Sequence, residues 1–189
     1  MNKISTESNF FSSRRSISVK NLNYPGPNLN QTMDILKNAL RVPDHGKLEP
    51  WRIVLITEAR KKNFYELMKK RGNEINIDYL KMEKNKKNLF RTPLIITVIC
   101  SPKFDTKIPQ IEQILSSGAL CMNILNNFLV NGWGANWLTG WMANDKSFGK
   151  LAFNNSDKEF VAGFIYVGSF DKTNPDRPRP SLEKKITHY

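Results

Sequence analysis

Two short segments carry side chains whose types and spacing suit ligand chemistry. The first is Arg14-Arg15-Ser16-Ile17-Ser18. Paired guanidiniums followed by hydroxyls can hold a phosphate, because the planar fork of arginine matches phosphate oxygens bidentately. An Arg-Arg-Ser run also occurs on ordinary protein surface, so by itself the segment leaves both readings open. The second is Arg41-Val42-Pro43-Asp44-His45-Gly46-Lys47-Leu48-Glu49-Pro50-Trp51. It crowds a histidine, charges, prolines and a tryptophan between a helical pattern and a β-branched run, and ligand sites gather at such connections. His45 fits either a structural role or ligand contact. Cys100 and Cys121 lie in apolar surroundings and read as buried small hydrophobes in a reducing compartment, too few for a disulfide framework or a zinc site.

Other chemistries find no support in the sequence. It contains no H-E-x-x-H, no Walker loop, no G-x-S-x-G elbow and no Cys/His ligand cluster. Gly132-x-Gly134 lacks the third glycine of a dinucleotide fingerprint and leaves a helix instead of opening one. Paired carboxylates for acid–base work have no sequence support either.

The elements that must position these segments are legible as periodicity. A short first helix is expected over about Ser5 to Ser12. A second runs from an Asn30 cap to about Leu40, with Met33, Leu36 and Leu40 beside Ile35 and Ala39 as its apolar face. Trp51 to Thr57 reads as a strand, and Glu58–Arg71 and Asp78–Leu89 read as basic amphipathic helices. Leu94 to Cys100 is apolar without alternation, the mark of a strand buried on both faces. A long helix follows from about Pro109 to Asn131. Ile111, Ile114, Leu115, Ala119, Met122, Leu125 and Leu129 form one apolar stripe, and Cys121, Ile124 and Phe128 form a second beside it. A helix apolar most of the way round must be covered on most sides, by a core or a partner. A short strand to Leu138, a small helix from Asp145 to Leu151 and a last strand from Phe160 to Phe170 complete the pattern. Strand, long helix, strand implies a crossover, giving an α+β or α/β sandwich. The Pro-rich end from Asn174 to Tyr189 must lie extended on something, a second subunit being one candidate.

The chain has 189 residues, 40% hydrophobic and 11% aromatic, enough for one domain with its own core. Its 29 basic and 17 acidic residues leave a net charge of +12, a field that attracts polyanions or phosphate-bearing cofactors. The basic residues concentrate between Arg60 and Arg91, mixed with acids, as on a solvated helix face. No apolar stretch is long enough to cross a bilayer and the first residues do not read as a signal peptide, so a soluble, cytoplasmic protein without membrane partners is expected.

Taken together, the sequence resembles the nitroreductase family, in particular its small YdjA-type NAD(P)H nitroreductases. The resemblance rests on Arg14-Arg15-Ser16, on Arg41 to His45 with Pro50-Trp51, and on Thr92-Pro93-Leu94-Ile95-Ile96-Thr97-Val98. It continues through Glu112-Gln113 with Ser117-Gly118, Gly132-Trp133-Gly134-Ala135-Asn136-Trp137 with Gly140, and Gly163-Phe164-Ile165-Tyr166-Val167-Gly168, all in order along nearly the whole chain. It implies an α+β nitroreductase-like fold: a mixed central sheet flanked by helices, in an intertwined homodimer with FMN at the subunit interface. Residues 1–189 form one domain, with 171–189 a tail packing on the partner. Arg14, Arg15 and Ser16 are then expected at the phosphate and ribityl end of FMN, Arg41 and His45 on the FMN of the other subunit, and Trp137, Leu138 and Thr139 along the flavin of their own. Asn127, Phe128, Leu129, Val130, Asn131 and Gly132 are the expected NAD(P) contacts. The implied activity is ping-pong hydride transfer from NAD(P)H through flavin N5 to a small oxidised acceptor, nitroaromatic or quinone-like, with no catalytic side chain and no metal. Glu49 and Leu138 depart from the pattern, which usually has glutamine and arginine there. The alternatives are another flavin enzyme on the same scaffold (a dehydrogenase, dehalogenase or flavin-fragmenting enzyme) and, from a different class, a basic nucleic-acid-binding module. The resemblance favours a small-molecule acceptor over nucleic acid.

Overall fold

A computed structural model describes residues 6–189, with side chains from Phe10 onward; the expected helix start at Ser5 lies outside the described residues. The helices are α1 (Thr6–Ser13), α2 (Leu29–Ala39), α3 (Glu58–Glu74), α4 (Tyr79–Arg91), α5 (Gln110–Val130), α6 (Trp141–Asn144) and α7 (Lys146–Phe153). The strands are β1 (Leu22–Asn23), β2 (Trp51–Ile56), β3 (Leu94–Cys100), β4 (Gly134–Leu138) and β5 (Phe160–Phe170). The long apolar runs became strands with the expected bounds because β-branched side chains pack well on a pleated, covered surface. The cap of α2 is a correction: Asn28, not Asn30, accepts from the Gln31 backbone N–H at 2.9 Å while the Gln31 side chain accepts from the Asn28 N–H at 3.0 Å. That reciprocal pair satisfies two free donors at once, which Asn30 inside the first turn could not do.

The five strands form one sheet in the order β1-β5-β3-β2, with β4 also on β5. Every ladder among the described residues is antiparallel. This corrects the expected mixed sheet, and the reason is topological. The α5 crossover does leave β3 and β4 running the same way, but β5 pairs with both and lies between them.

Alternate residues of β3 and β5 feed two separate cores, as the period of a strand requires. Leu94, Ile96, Val98, Ile165 and Val167 pack under α2 and α5 with Ile35, Leu36, Ile124 and Phe128. Ile95, Ile99, Phe164 and Tyr166 pack on the other face with Phe64, Met68, Trp141, Phe148 and Phe153. Helices therefore cover the sheet on both sides, and β3 is buried throughout. On α5 the two predicted stripes part company. Cys121, Ile124 and Phe128 are fully buried against the sheet, whereas Ile111, Leu115 and Met122 of the first stripe are exposed and its Leu125 is buried with the second.

The basic hairpin of α3 and α4 shows its lysines to solvent at Lys62, Lys69, Lys70, Lys84 and Lys87. Its aromatic residues divide: Phe64 is buried and Tyr65 meets Phe90 edge to face, while Phe90 and Tyr79 are exposed. Lys61 is the exception among the cations, fully buried with its Nζ on Glu58 at 2.7 Å and on the Tyr24 hydroxyl. No helix among the described residues is long and apolar enough to cross a membrane.

Candidate functional site

The segment after α1 is held on two sides. The Ile17 N–H donates to the Ala135 carbonyl at 2.9 Å and the Asn136 amide donates to the Ile17 carbonyl at 2.8 Å, which fastens residues 14–17 to β4. From the other side the C-terminal tail closes in. Asn174 Nδ2 donates to the Ser16 carbonyl at 2.7 Å, and Arg15 Nε donates to the Pro175 carbonyl at 3.1 Å. The tail thus runs along its own chain's N-terminal segment.

Between them lies a cavity of about 560 Å³. Its cationic rim is Arg14 and Arg15; its apolar wall is Phe10, Ile17, Leu129 and Phe170; Asn174 and Asp176 border it from the tail. Arg14 Nε is buried with no hydrogen-bond partner among the described residues. A buried charged donor left unpaired costs free energy that an anion would recover. The cavity therefore combines what a phosphate needs at one end with what a flat, amphipathic ring needs at the other.

Arg41 and His45 sit elsewhere. The Asn123 amide of α5 donates to the carbonyls of Ala39 (2.8 Å) and Arg41 (3.2 Å). His45 Nδ1 lies 2.7 Å from Glu112 Oε2, and Trp51 Nε1 donates to Ser116 Oγ at 3.1 Å. This loop holds three left-handed residues, Gly46 (φ 71°), Lys47 (φ 54°) and Glu49 (φ 46°). The last two are non-glycine and strained there. The Asp44 carboxylate secures the turn by accepting from the N–H groups of Leu48 (3.2 Å) and Glu49 (2.8 Å). Glu49 is exposed, and no ion pair joins it to Lys47 among the described residues. Glu112 and Leu129 are separated by most of α5, roughly 25 Å at 1.5 Å per residue. Within one chain, then, His45 on Glu112 does not meet Arg14 and Arg15; Arg41, whose carbonyl is held by Asn123, lies nearer, about 9 Å along α5 from Leu129.

Trp137 lies over β5, its Nε1 donating to the Ala162 carbonyl at 3.2 Å; a Cβ on Gly163 would come within 1.9 Å of that nitrogen. Glycine is what lets the indole lie this close to the strand. Leu138 and Thr139 are exposed at the end of β4, on the edge to which residues 14–17 are tied, but they do not line the cavity. Of the expected nucleotide contacts, Leu129 reaches the cavity. Asn127 and Val130 line an adjoining pocket of about 180 Å³ with Phe10 and Phe11, and Asn131 and Gly132 are exposed at the helix end. Phe128 is a correction: it is wholly buried in the core beneath α5 and presents nothing to a ligand.

Sequence reasoning missed the cavity's far wall, Phe170, Thr173, Asn174 and Asp176. Asn174 and Asp176 stand out as polar residues in a Pro-rich run, but no periodicity assigns them a neighbour. The cysteines behave as expected: both are buried, and burial pushes the Cys121 thiol up to about 12, far from a thiolate at neutral pH. No group of three or more metal-ligating side chains occurs among the described residues.

Comparison with known proteins places these features. The model of the Nitroreductase family matches residues 12–169. The Escherichia coli protein provisionally named NAD(P)H nitroreductase YdjA is 29% identical over 152 residues, covering 80% of this chain and 82% of that one. A nitroreductase-like family protein from Bacillus cereus has the same fold, with a TM-score of 0.82 at 17% identity and coverage of 100% and 98%. So does a variant of the FMN and NADPH-dependent nitroreductase NfnB from Sphigopyxis sp. strain HMH, with a TM-score of 0.76 at 14% identity and coverage of 97% and 99%.

Proposed function

The chain belongs to the Nitroreductase family, and from that premise we propose that it is an FMN-dependent NAD(P)H oxidoreductase that works as a homodimer. The observation that carries the reading is the buried Nε of Arg14, without a partner among the described residues, beside Arg15 at the rim of a cavity whose other wall is apolar.

Arg14, Arg15 and Ser16 hold the phosphate and ribityl end of FMN. Trp137, Leu138 and Thr139 lie outside the cavity but on the strand to which Ile17 is tied, and would border a ring that extends beyond it. When bound, the flavin would supply hydride transfer at N5, by a ping-pong route from NAD(P)H to a small oxidised acceptor such as a nitroaromatic or quinone. The chain's own task is to grip the anionic end, to orient the ring and to leave one side open to visitors. No side chain of the site has to act as nucleophile, acid or base, and water can supply protons.

A second copy follows from distance and surface. Ile111, Leu115 and Met122 form an exposed apolar stripe on α5, and Gly118 between them has open space where a side chain would be. Met33 of α2 and Leu40 at its C-terminal cap are exposed apolar residues as well. A twofold axis across the middle of α5 buries this face against itself. The two α5 helices then run antiparallel, so the Glu112 end of one meets the Leu129 end of the other. That operation would carry His45 of each chain toward the arginine cavity of its partner, and Arg41, held at Asn123 nearer the middle of α5, is assigned to the same partner site. The tail, residues 171–189, borders the same cavity through Thr173, Asn174 and Asp176 and belongs with the single domain formed by the rest of the chain.

Purified protein saturated with FMN is expected to run as a dimer and to lose its flavin absorbance anaerobically on addition of NADPH or NADH. Arg14→Ala/Arg15→Ala should weaken FMN binding at least about tenfold, the value of losing one charge-assisted phosphate contact. Mixing that variant with Arg41→Ala/His45→Ala should restore flavin reduction in the heterodimer, because one of its two composite sites is whole. A monomer that takes up no FMN would sink the proposal.

A further inference from the structure

We propose that a second cavity, walled by Arg14, Arg15, Arg177 and Arg179, is an anion site for a phosphate of the dinucleotide reductant, separate from the site of the flavin phosphate. The proposal rests on the flavin reading above for the identity of the reductant. The cavity itself, about 470 Å³, stands on its own geometry.

The two cavities adjoin and share Arg14, Arg15 and Asp176. They differ in character. The first adds apolar walls from Phe10, Ile17, Leu129 and Phe170, as a flavin requires. The second adds Arg177 and Arg179 with the rings of Pro178 and Pro180. It is built by the tail, and the tail is pinned: Arg15 Nε donates to the Pro175 carbonyl and Arg179 Nη2 donates to the Ser12 carbonyl. Five consecutive tail residues, 176–180, line the cavity, Arg177 and Arg179 among them. Pro178 and Pro180 restrict the backbone on both sides of Arg179, so less ordering remains to be done on binding.

Charge gives the ligand class. Four guanidiniums face one carboxylate, Asp176, and that carboxylate is already engaged by the Arg177 N–H at 2.8 Å and by Arg179 Nη1 at 3.8 Å. Like charges gathered this closely repel, and a multiply charged anion relieves the repulsion while meeting the arginine forks in pairs. FMN brings one phosphate, and the first cavity accounts for it. The reductant brings a pyrophosphate and, in NADPH, a 2′-phosphate as well. Either group is a phosphate of the right charge, and the experiment separates them.

Isothermal titration of the FMN-saturated protein with adenosine 2′,5′-bisphosphate and with ADP, on wild type and on Arg177→Ala/Arg179→Ala, tests the site directly. The double variant is expected to weaken probe binding at least about tenfold while its FMN content stays unchanged. Weakening of the bisphosphate alone assigns the 2′-phosphate, and weakening of both probes assigns the pyrophosphate. In turnover, KM for NADPH should rise with kcat retained, and KM for NADH should rise with it only in the second case. Arg177→Lys/Arg179→Lys should recover part of the affinity, since charge is kept and the fork is lost. The proposal is overturned if neither probe binds, if the double variant binds them as wild type does, if excess FMN displaces them, or if the double variant loses its FMN. Wild-type protein that takes up no FMN would sink the flavin reading instead, and the same titration on flavin-free protein would still decide the anion site.

Discussion

Along α5 the side toward the sheet presents Leu120, Cys121, Ile124 and Phe128, each 0% exposed, while the opposite side presents Ile111 and Leu115 at 59% and 65%. The residue types on the two sides are nearly the same. What differs is the cover: β3, β4 and β5 of the same chain lie under one side, and among the described residues nothing covers Ile111 and Leu115 on the other. Burial is a property of the assembled surroundings, so an apolar residue reports that something covers it without saying what. The inner side is where the fold of one chain is held. The outer side is where a second chain belongs under the proposed function.

Substitutions can break that contrast. The largest loss is expected from Phe128→Ala, which opens a cavity in the core and should cost about 3–5 kcal/mol in denaturant unfolding, whatever the oligomeric state. A comparable loss from Leu115→Ala in the isolated chain would erase the distinction. The contrast extends to charge. Glu159, half-buried with Arg52 Nε at 2.7 Å, has its carboxyl lowered to about 2, the Arg52 hydrogen bond outweighing desolvation, which acts the other way. A depressed folded value means stability that is present above the ordinary carboxylate range and is lost as pH falls from about 4.5 toward 2. Glu159→Gln should cost ~2–3 kcal/mol near neutrality and flatten that acid limb of the unfolding curve. The smallest effect on the single chain is expected on the outer side. Leu115→Glu should change its unfolding free energy by no more than ~0.5 kcal/mol, yet convert dimer to monomer in sedimentation and strip bound flavin. A Leu115→Glu protein that stays dimeric would remove α5 from the interface.

Much of the fold was legible because it is local. β3 and β5 announce themselves as unbroken apolar runs, and Asp145 caps α7 as expected, its Oδ1 accepting from the Phe148 N–H at 2.6 Å. The two-residue β1 and the four-residue α6 were not anticipated, since neither is long enough to show a period. The site divides the same way. Arg14 and Arg15 could be picked out by residue type, but the tail that completes their cavity arrives from about 160 residues away. No spacing rule connects the two. Phe128 shows the limit of carrying over a continuous run: neighbours on a helix point about 100° apart, so a stretch such as 127–132 cannot present every side chain to one ligand.

One feature has a kinetic meaning. Arg14 and Arg15 border both cavities, so two anions seated there would draw on the same pair of charges. Whichever arrives first lowers the hold on the other, and by reciprocity each weakens its neighbour by the same factor. For a resident group that stays through every cycle this is a small tax. For a donor that must depart before the next visitor can enter, a weakened grip shortens its stay and frees the open face sooner.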